Sequence, residues 1–512
     1  MLLRRFLVGC TVASLCMLYS DAWAQFSQQG PKLVGTGGLP GYQYQGSSVA
    51  LSADGNTAIV GGPADNSSFG ATWVFTRAEG VWTQQGAKLV GTGSTGAAQG
   101  SSVALSADGN TAIVGGPGDN GSAGAAWVFT RSSGVWTQQG AKLVGTGGGA
   151  RQGISVALSA DGNTAIVGGA YDTFGVGGAW VFTRAEGVWT QQGARLVGTG
   201  AVGAAHQGIS VALSADGNTA IVGGFADTSD IGATWVFTRA GGIWTQQGAK
   251  LVGTGAVGAA HQGVSVALSA YGNTAIIGGW TDNNDFGATW VFRRSGGVWT
   301  QQGAKLVGSG FYPGDAQQGA SVALSADGST AIVGAPIDGP VVGAVWVFTG
   351  PAETASVVEY YYAAADEYFI SADPTEISAL DNNRFPGWVR TGMGFGAYAS
   401  ATAGASPVCR FFIPPASHFY SASPAECAAT RQKFPGLAYE SGNVFYIALP
   451  DTATGACPAG TIPVYRLFDN RADPNHRYTT STAIVDQMRA RGWIPEGYGP
   501  GPYYPIMCAP SS

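Results

Sequence analysis

A fifteen-residue run, "SVALSADGNTAIVGG" at Ser48–Gly62, returns with small changes at Ser102, Ser155, Ser210, Ser265 and Ser321. A second run, "GATWVFTR", follows each time. Its tryptophans are Trp73, Trp127, Trp180, Trp235, Trp290 and Trp346, spaced 54, 53, 55, 55 and 56 residues apart. A third, "GVWTQQGAKLVGTG", carries Trp82, Trp136, Trp189, Trp244 and Trp299. A period in the fifties with so little drift implies one supersecondary unit per copy, each burying its faces against its neighbours.

Each unit reads as four short strands. Val49 and Leu51 alternate with Ala50 and Ser52; Asp54-Gly55-Asn56 marks a tight turn; Thr57 to Val60 form the second strand. Trp73 and Phe75 alternate with Thr72 and Val74 in the third, and Val81 to about Val90 form the fourth. Charged residues are only 11% of the chain while aromatics reach 11%, which suits a turn-dense β protein and not a disordered one. The sixth copy stops at Phe348-Thr349-Gly350 without its fourth strand, and "FSQQGPKLVGTG" from Phe26 to Gly37 supplies such a strand at the other end. The expectation is therefore an all-β fold: a six-bladed β-propeller over 25–350, closed by an N-terminal strand.

These residues resemble the FG-GAP repeat family, the propeller repeats also found in integrin α-chains. The "GAP" element stands as Gly334-Ala335-Pro336 and is loosened to Gly61-Gly62-Pro63 and Gly115-Gly116-Pro117. Gln45-Gly46, Gln99-Gly100 and Gln152-Gly153 replace the family's Phe-Gly. The resemblance implies a propeller. The calcium-binding form of the family has a run of alternating acidic residues that is missing here, so calcium is not carried across and no metal or cofactor is expected.

Comparing the copies separates turn chemistry from other roles. The turn aspartate (Asp54, Asp108, Asp161, Asp216, Asp327) becomes Tyr271 in the fifth copy, while the following glycine stays. Between strands two and three one acidic position persists: Asp65, Asp119, Asp172, Asp227, Asp282 and Asp338. Two readings stand for these six: each shapes its own loop by accepting backbone N–H bonds, or together they form a ligand-binding ring. His206 and His261 lie in identical "GAVGAAHQG" loops and read as copies of one exposed loop.

The two ends differ from the repeats. Arg4 and Arg5 before an apolar stretch, then Ala22-Trp23-Ala24, read as a signal peptide over 1–24. After a linker at 351–356, residues 357–512 hold three weaker repeats starting near Val357, Val408 and Val464. His418 and His476 share a repeat position with Tyr368. Ser423-Pro424-Ala425-Glu426 and Asp373-Pro374-Thr375-Glu376 read as capping boxes of short helices. The four mature cysteines suggest local disulfides, Cys409–Cys427 and Cys457–Cys508. The segment resembles an uncharacterised family of Tyr-rich tandem modules of secreted bacterial proteins, marked by "HFY(S/T)" and "GW…EG". That resemblance implies export and surface attachment or binding. Three similar units suggest a pseudo-threefold, trefoil-like, β-rich module with short helices.

No metalloprotease, nucleophile-elbow, Cys-x-x-Cys or phosphate-loop motif occurs, so the chain is read as no enzyme. A net charge of −6 argues against nucleic acid, and no membrane span is expected. The reading is a secreted or periplasmic, monomeric, non-catalytic binding or adhesion protein. Its propeller scaffold would carry a C-terminal recognition module for a cell-surface protein or polysaccharide. A carboxylate-dependent glycan-processing enzyme and a purely structural envelope component are the alternatives. Candidate ligand-binding residues are the six loop aspartates with Trp388, Tyr439 and Trp493, whose aromatic faces would stack on sugar rings or fill the module's core.

Overall fold

The computed structural model describes residues 29–511 apart from 40–41, 148–149, 173, 312–315, 339–342, 382, 400, 403 and 472–473. The expected signal peptide lies outside the described residues. Each repeat forms its own small antiparallel sheet, numbered one to six here. Sheet one runs Ser48–Leu51, Thr57–Gly62, Ala71–Ala78 and Val81–Gln84 in that order. Sheets two to five repeat this arrangement, and sheet six has three strands: Ser321–Leu324, Thr330–Ala335 and Ala344–Thr349. The first turn needs its glycine because Gly55 sits at φ +66°. Asp54 stiffens that turn by accepting from Ser52 Oγ at 2.5 Å and from the Asn56 N–H at 2.9 Å.

Successive sheets are joined by the same bonds at every junction. A ladder of N–H···O bonds runs Ala53 to Ala107, Ala107 to Ala160, Ala160 to Ala215, Ala215 to Ala270 and Ala270 to Ala326. Ile59 and Val74 of sheet one pack with Val103, Leu105, Val114 and Trp127 of sheet two. The glutamine before each repeat's first strand has a clear role. The Gln99 carboxamide accepts from the Gly91 N–H at 2.6 Å and donates to the Gly91 carbonyl at 3.0 Å. This lays the chain across Trp127, whose indole donates to the Thr92 carbonyl at 2.9 Å. A Cβ on Gly91 would stand 2.1 Å from Trp127 Cδ1, so only glycine fits.

The stack is open, which corrects the expected closed propeller and its FG-GAP architecture. Sheets one and six do not cover each other. Val49 and Leu51 of sheet one are 67% and 61% exposed, and Val345 and Val347 of sheet six are 60% and 64% exposed. The residues expected to form the closing fourth strand, the counterparts of Val81–Gln84 at 25–28, lie outside the described residues. Gln29 accepts from Arg77 and from the Trp82 indole, and the Thr36 carbonyl accepts from the Trp73 indole at 2.8 Å. These are the bonds that Gln85 and Thr92 make to sheet two, so the described part of the segment is held on sheet one. The expected scaffold-propeller function loses its scaffold with this finding.

The C-terminal module contains a nine-stranded sheet and a three-stranded sheet, neither closed into a barrel, so the trefoil-like expectation is also corrected. Each repeat is a hairpin, a helix (Pro374–Asp381, Pro424–Lys433 or Thr482–Ala490) and a strand returning to the hairpin. The second hairpin strands, Glu367–Ser371, Ser417–Ser421 and His476–Thr479, pack on one another. There the Tyr420 hydroxyl donates to the Ile370 carbonyl at 2.7 Å and the Tyr478 hydroxyl to the Tyr420 carbonyl at 2.8 Å. Disulfides join Cys409 to Cys427 and Cys457 to Cys508.

The module docks where the repeat pattern breaks. In the other copies the turn aspartate accepts from a serine hydroxyl; in sheet five Tyr271 occupies its place. Ser269 Oγ instead donates to Glu353, which is buried and comes from the connecting segment. Glu353 thus supplies the carboxylate that sheet five lacks. Its own N–H donates to the Asp327 carbonyl at 2.7 Å, tying the connection to sheet six as well. Strand Thr354–Tyr362 begins directly after it.

Candidate functional site

The loop aspartates are inward-facing groups. Asp65, Asp119, Asp227 and Asp282 are almost fully buried. Each accepts one backbone N–H through Oδ1, from Leu39, Thr95, Val202 and Val257 respectively, at 2.7–2.9 Å. Oδ2 pairs with Lys88, Lys142, Lys250 or Lys305, and Asp172 pairs with Arg195 at 2.8 Å. Each aspartate therefore clips its loop to the segment that follows the same sheet, and the first four also to the segment before it. Asp338 holds the same position in sheet six.

The three candidate aromatics of the module, Trp388, Tyr439 and Trp493, are not gathered at one site. Trp493 is buried among Leu467, Val485 and Met488. Trp388 is half-buried and stacks on Tyr362 at 5.3 Å. Tyr439 is exposed, with the Arg431 guanidinium 4.5 Å from its ring centre.

The three repeats are tied in a circle by ion pairs. Arg410 of the second repeat forms a two-pronged bond to Glu376 of the first, at 2.9 and 2.7 Å. Arg466 of the third does the same to Glu426 of the second, at 3.1 and 2.8 Å. Arg477 of the third returns to Glu359 of the first, at 3.0 and 2.9 Å. Parallel two-pronged geometry gives such pairs direction as well as energy. Glu376 and Glu426 do sit at helix starts, where Asp373 Oδ1 and Ser423 Oγ accept their N–H groups at 3.1 and 3.3 Å. Their side chains, however, serve the arginines. Sequence reasoning missed this circle, although Arg410 and Arg466 share a repeat position that Glu359 occupies in the first copy.

Between the second and third repeats lies a cleft of about 480 Å³. Its walls are Ile413, Phe419, Phe434, Leu437 and Phe468, and its floor is Arg466, Glu426, Glu496 and His476. Arg466 bonds Glu496 at 2.9 Å as well as Glu426, while its guanidinium lies 4.9 Å from the Phe419 ring centre. The guanidinium is buried, but the two carboxylates keep about a third of their surface open, 31% and 34%. Burial works to raise the Glu426 pKa, yet the Arg466 and Ser421 bonds hold it below the ordinary glutamate value. Burial, then the Arg466 charge, pushes His476 down to about 3, so its ring is neutral near pH 7. His418 is driven to about 4 by burial and then Arg410. Among the described residues no group of three or more His, Cys, Asp or Glu side chains is arranged to hold a metal ion.

Residues 342–448 and 449–500 match a family described as a domain of unknown function (DUF5648), a match that takes in most of the module and under a third of the chain. No match is found among curated proteins. Among solved structures, the hydrazine synthase of Kuenenia stuttgartiensis is similar over 60% of this chain and 84% of that one, at 15% identity and TM-score 0.38. TolB from Acinetobacter baumannii is similar over 50% and 55% respectively, at 13% identity and TM-score 0.30. Overlap this loose carries no argument about activity. The two disulfides, with no helix among the described residues long and apolar enough to cross a membrane, are consistent with an extracytoplasmic protein.

Proposed function

We propose that the chain is a non-catalytic protein of the periplasm or cell exterior that holds a hydroxyl-rich ligand, such as a sugar residue of a surface polysaccharide, in the cleft between the module's second and third repeats. The open stack of sheets serves as its spacer. The observation that carries this reading is the pair of carboxylates on Arg466, each about a third open and set beside phenylalanine rings. Fixed carboxylates accept hydrogen bonds from hydroxyls, while apolar ring faces cover the C–H face of a sugar. The volume lies within the usual range for small-ligand sites, roughly 300–1,000 Å³.

Two features favour binding over turnover. A carboxyl acting as general acid needs a raised pKa, and Glu426 is held low by Arg466 and Ser421. Both carboxylates are also anchored to one guanidinium, which suits a fixed floor. The test is calorimetric titration of the processed protein with a panel of mono- and disaccharides, followed by Phe434→Ala. Binding weakened at least tenfold by that change supports the site. Release of a hydrolysed product, or binding untouched by Phe434→Ala, would move the function elsewhere.

A further inference from the structure

The two open ends of the stack are opposite halves of one interface that the chain already builds five times. At the first internal junction Ile59 and Val74 on the trailing face of sheet one pack against Val103 and Leu105 on the leading face of sheet two. In sheet six the counterparts of Ile59 and Val74 are Ile332 and Val347, a pair in the same register. These two are 43% and 64% exposed. Val345 adds a third exposed apolar side chain where the earlier sheets place Thr or Ala. On sheet one the counterparts of Val103 and Leu105 are Val49 and Leu51, equally uncovered.

The polar half of the junction is left open in the same complementary way. Ser48 of sheet one donates to the Gly100 carbonyl at 2.7 Å, and Gly100 sits tightly on Gly61, Gly62 and Ala71. Gly46, the leading-face counterpart of Gly100, has nothing within 4 Å of where a Cβ would lie. Ser321 is the trailing-face counterpart of Ser48. The alanine ladder ends with the Ala53 carbonyl at one end and the Ala326 N–H at the other. Segment 29–37 already lies on the leading face as the continuation of a preceding fourth strand would, with Gln29 in the place of Gln85. Among the described residues sheet six has no fourth strand, so its trailing face brings no competing strand to that place.

We propose that a second copy of this chain is the occupant: sheet six of one molecule stacks on sheet one of the next, head to tail, repeating the internal junction between molecules. Such an interface joins two different faces and leaves one of each free at the ends, so further copies add in the same way.

The test uses the processed full-length protein and two surface variants, a head-blocked Val49→Lys/Leu51→Lys and a tail-blocked Val345→Lys/Val347→Lys. Sedimentation velocity should show wild-type species that grow with concentration. Each variant alone should remain a monomer with an unchanged melting temperature. An equimolar mixture of the two should form a dimer and nothing larger. A wild type that stays monomeric at all concentrations overturns the proposal. So does a mixture that fails to dimerise, or a wild-type oligomer that only one variant dissolves, which would mark a symmetric pairing through one face.

Discussion

At the residue scale, single side chains do work that the repeat makes visible six times over. Gln99 brackets both polar groups of Gly91 and so satisfies backbone that would otherwise be buried unpaired beneath Trp127. The histidines of the module are a different case: neutral imidazoles packed among rings, Phe369 and Phe412 around His418, Phe419 and Phe468 around His476. Their folded pKa values, about 4 and about 3, lie below the unfolded value of roughly 6.5. Between those limits the unfolded chain binds protons that the folded chain refuses, so stability falls as pH drops from about 6.5 to about 3, the His418 share ending near 4. Below the folded values this contribution changes no further. The melting temperature of the module should fall through that window, and His418→Gln/His476→Gln should flatten the fall. An equal slope in wild type and variant would place the acid sensitivity in other groups.

At the element scale, the circle of three ion pairs determines how the module's repeats meet. Arg477 and Glu359 are the most enclosed of them, at 9% and 1% exposure. Removing one member of a buried pair leaves the other charge uncompensated and costs about 3–5 kcal/mol. Glu359→Gln should therefore lower the module's stability by about 3 kcal/mol in denaturant unfolding. A loss under about 1 kcal/mol would mean that Arg477 is well solvated and that the circle is not what joins the first and third repeats. The strands and turns were legible because period-2 alternation and Asp-Gly turns act locally. The circle was not, because it joins residues up to 118 apart, and the capping signal at Glu426 masked its second partner. Tyr271 was visible as an exception among the copies. Its meaning required the position of Glu353, which no local pattern predicts.

At the scale of the whole molecule, the repeat dictates the sheet and its junction but not whether the row of sheets returns to its start. Closure depends on the small angle between neighbouring sheets summed over every junction, and near-identical copies carry no mark of that sum. The counting of strands at the two ends therefore suggested a ring, whereas the uncovered Val49 and Leu51 of sheet one and Val345 and Val347 of sheet six show these two sheets apart. The proposed spacer role rests on this open form, with the module held on sheets five and six by Glu353. Cysteines placed at Val49 and Val347 and oxidised over a dilution series, with products sized under non-reducing conditions, test that form most directly. The open stack predicts no 49–347 bond within one chain at any dilution, and only cross-links between chains that fade as the protein is diluted. An intrachain bond that persists undiminished at the lowest concentration would show that sheets one and six meet, and would contradict it.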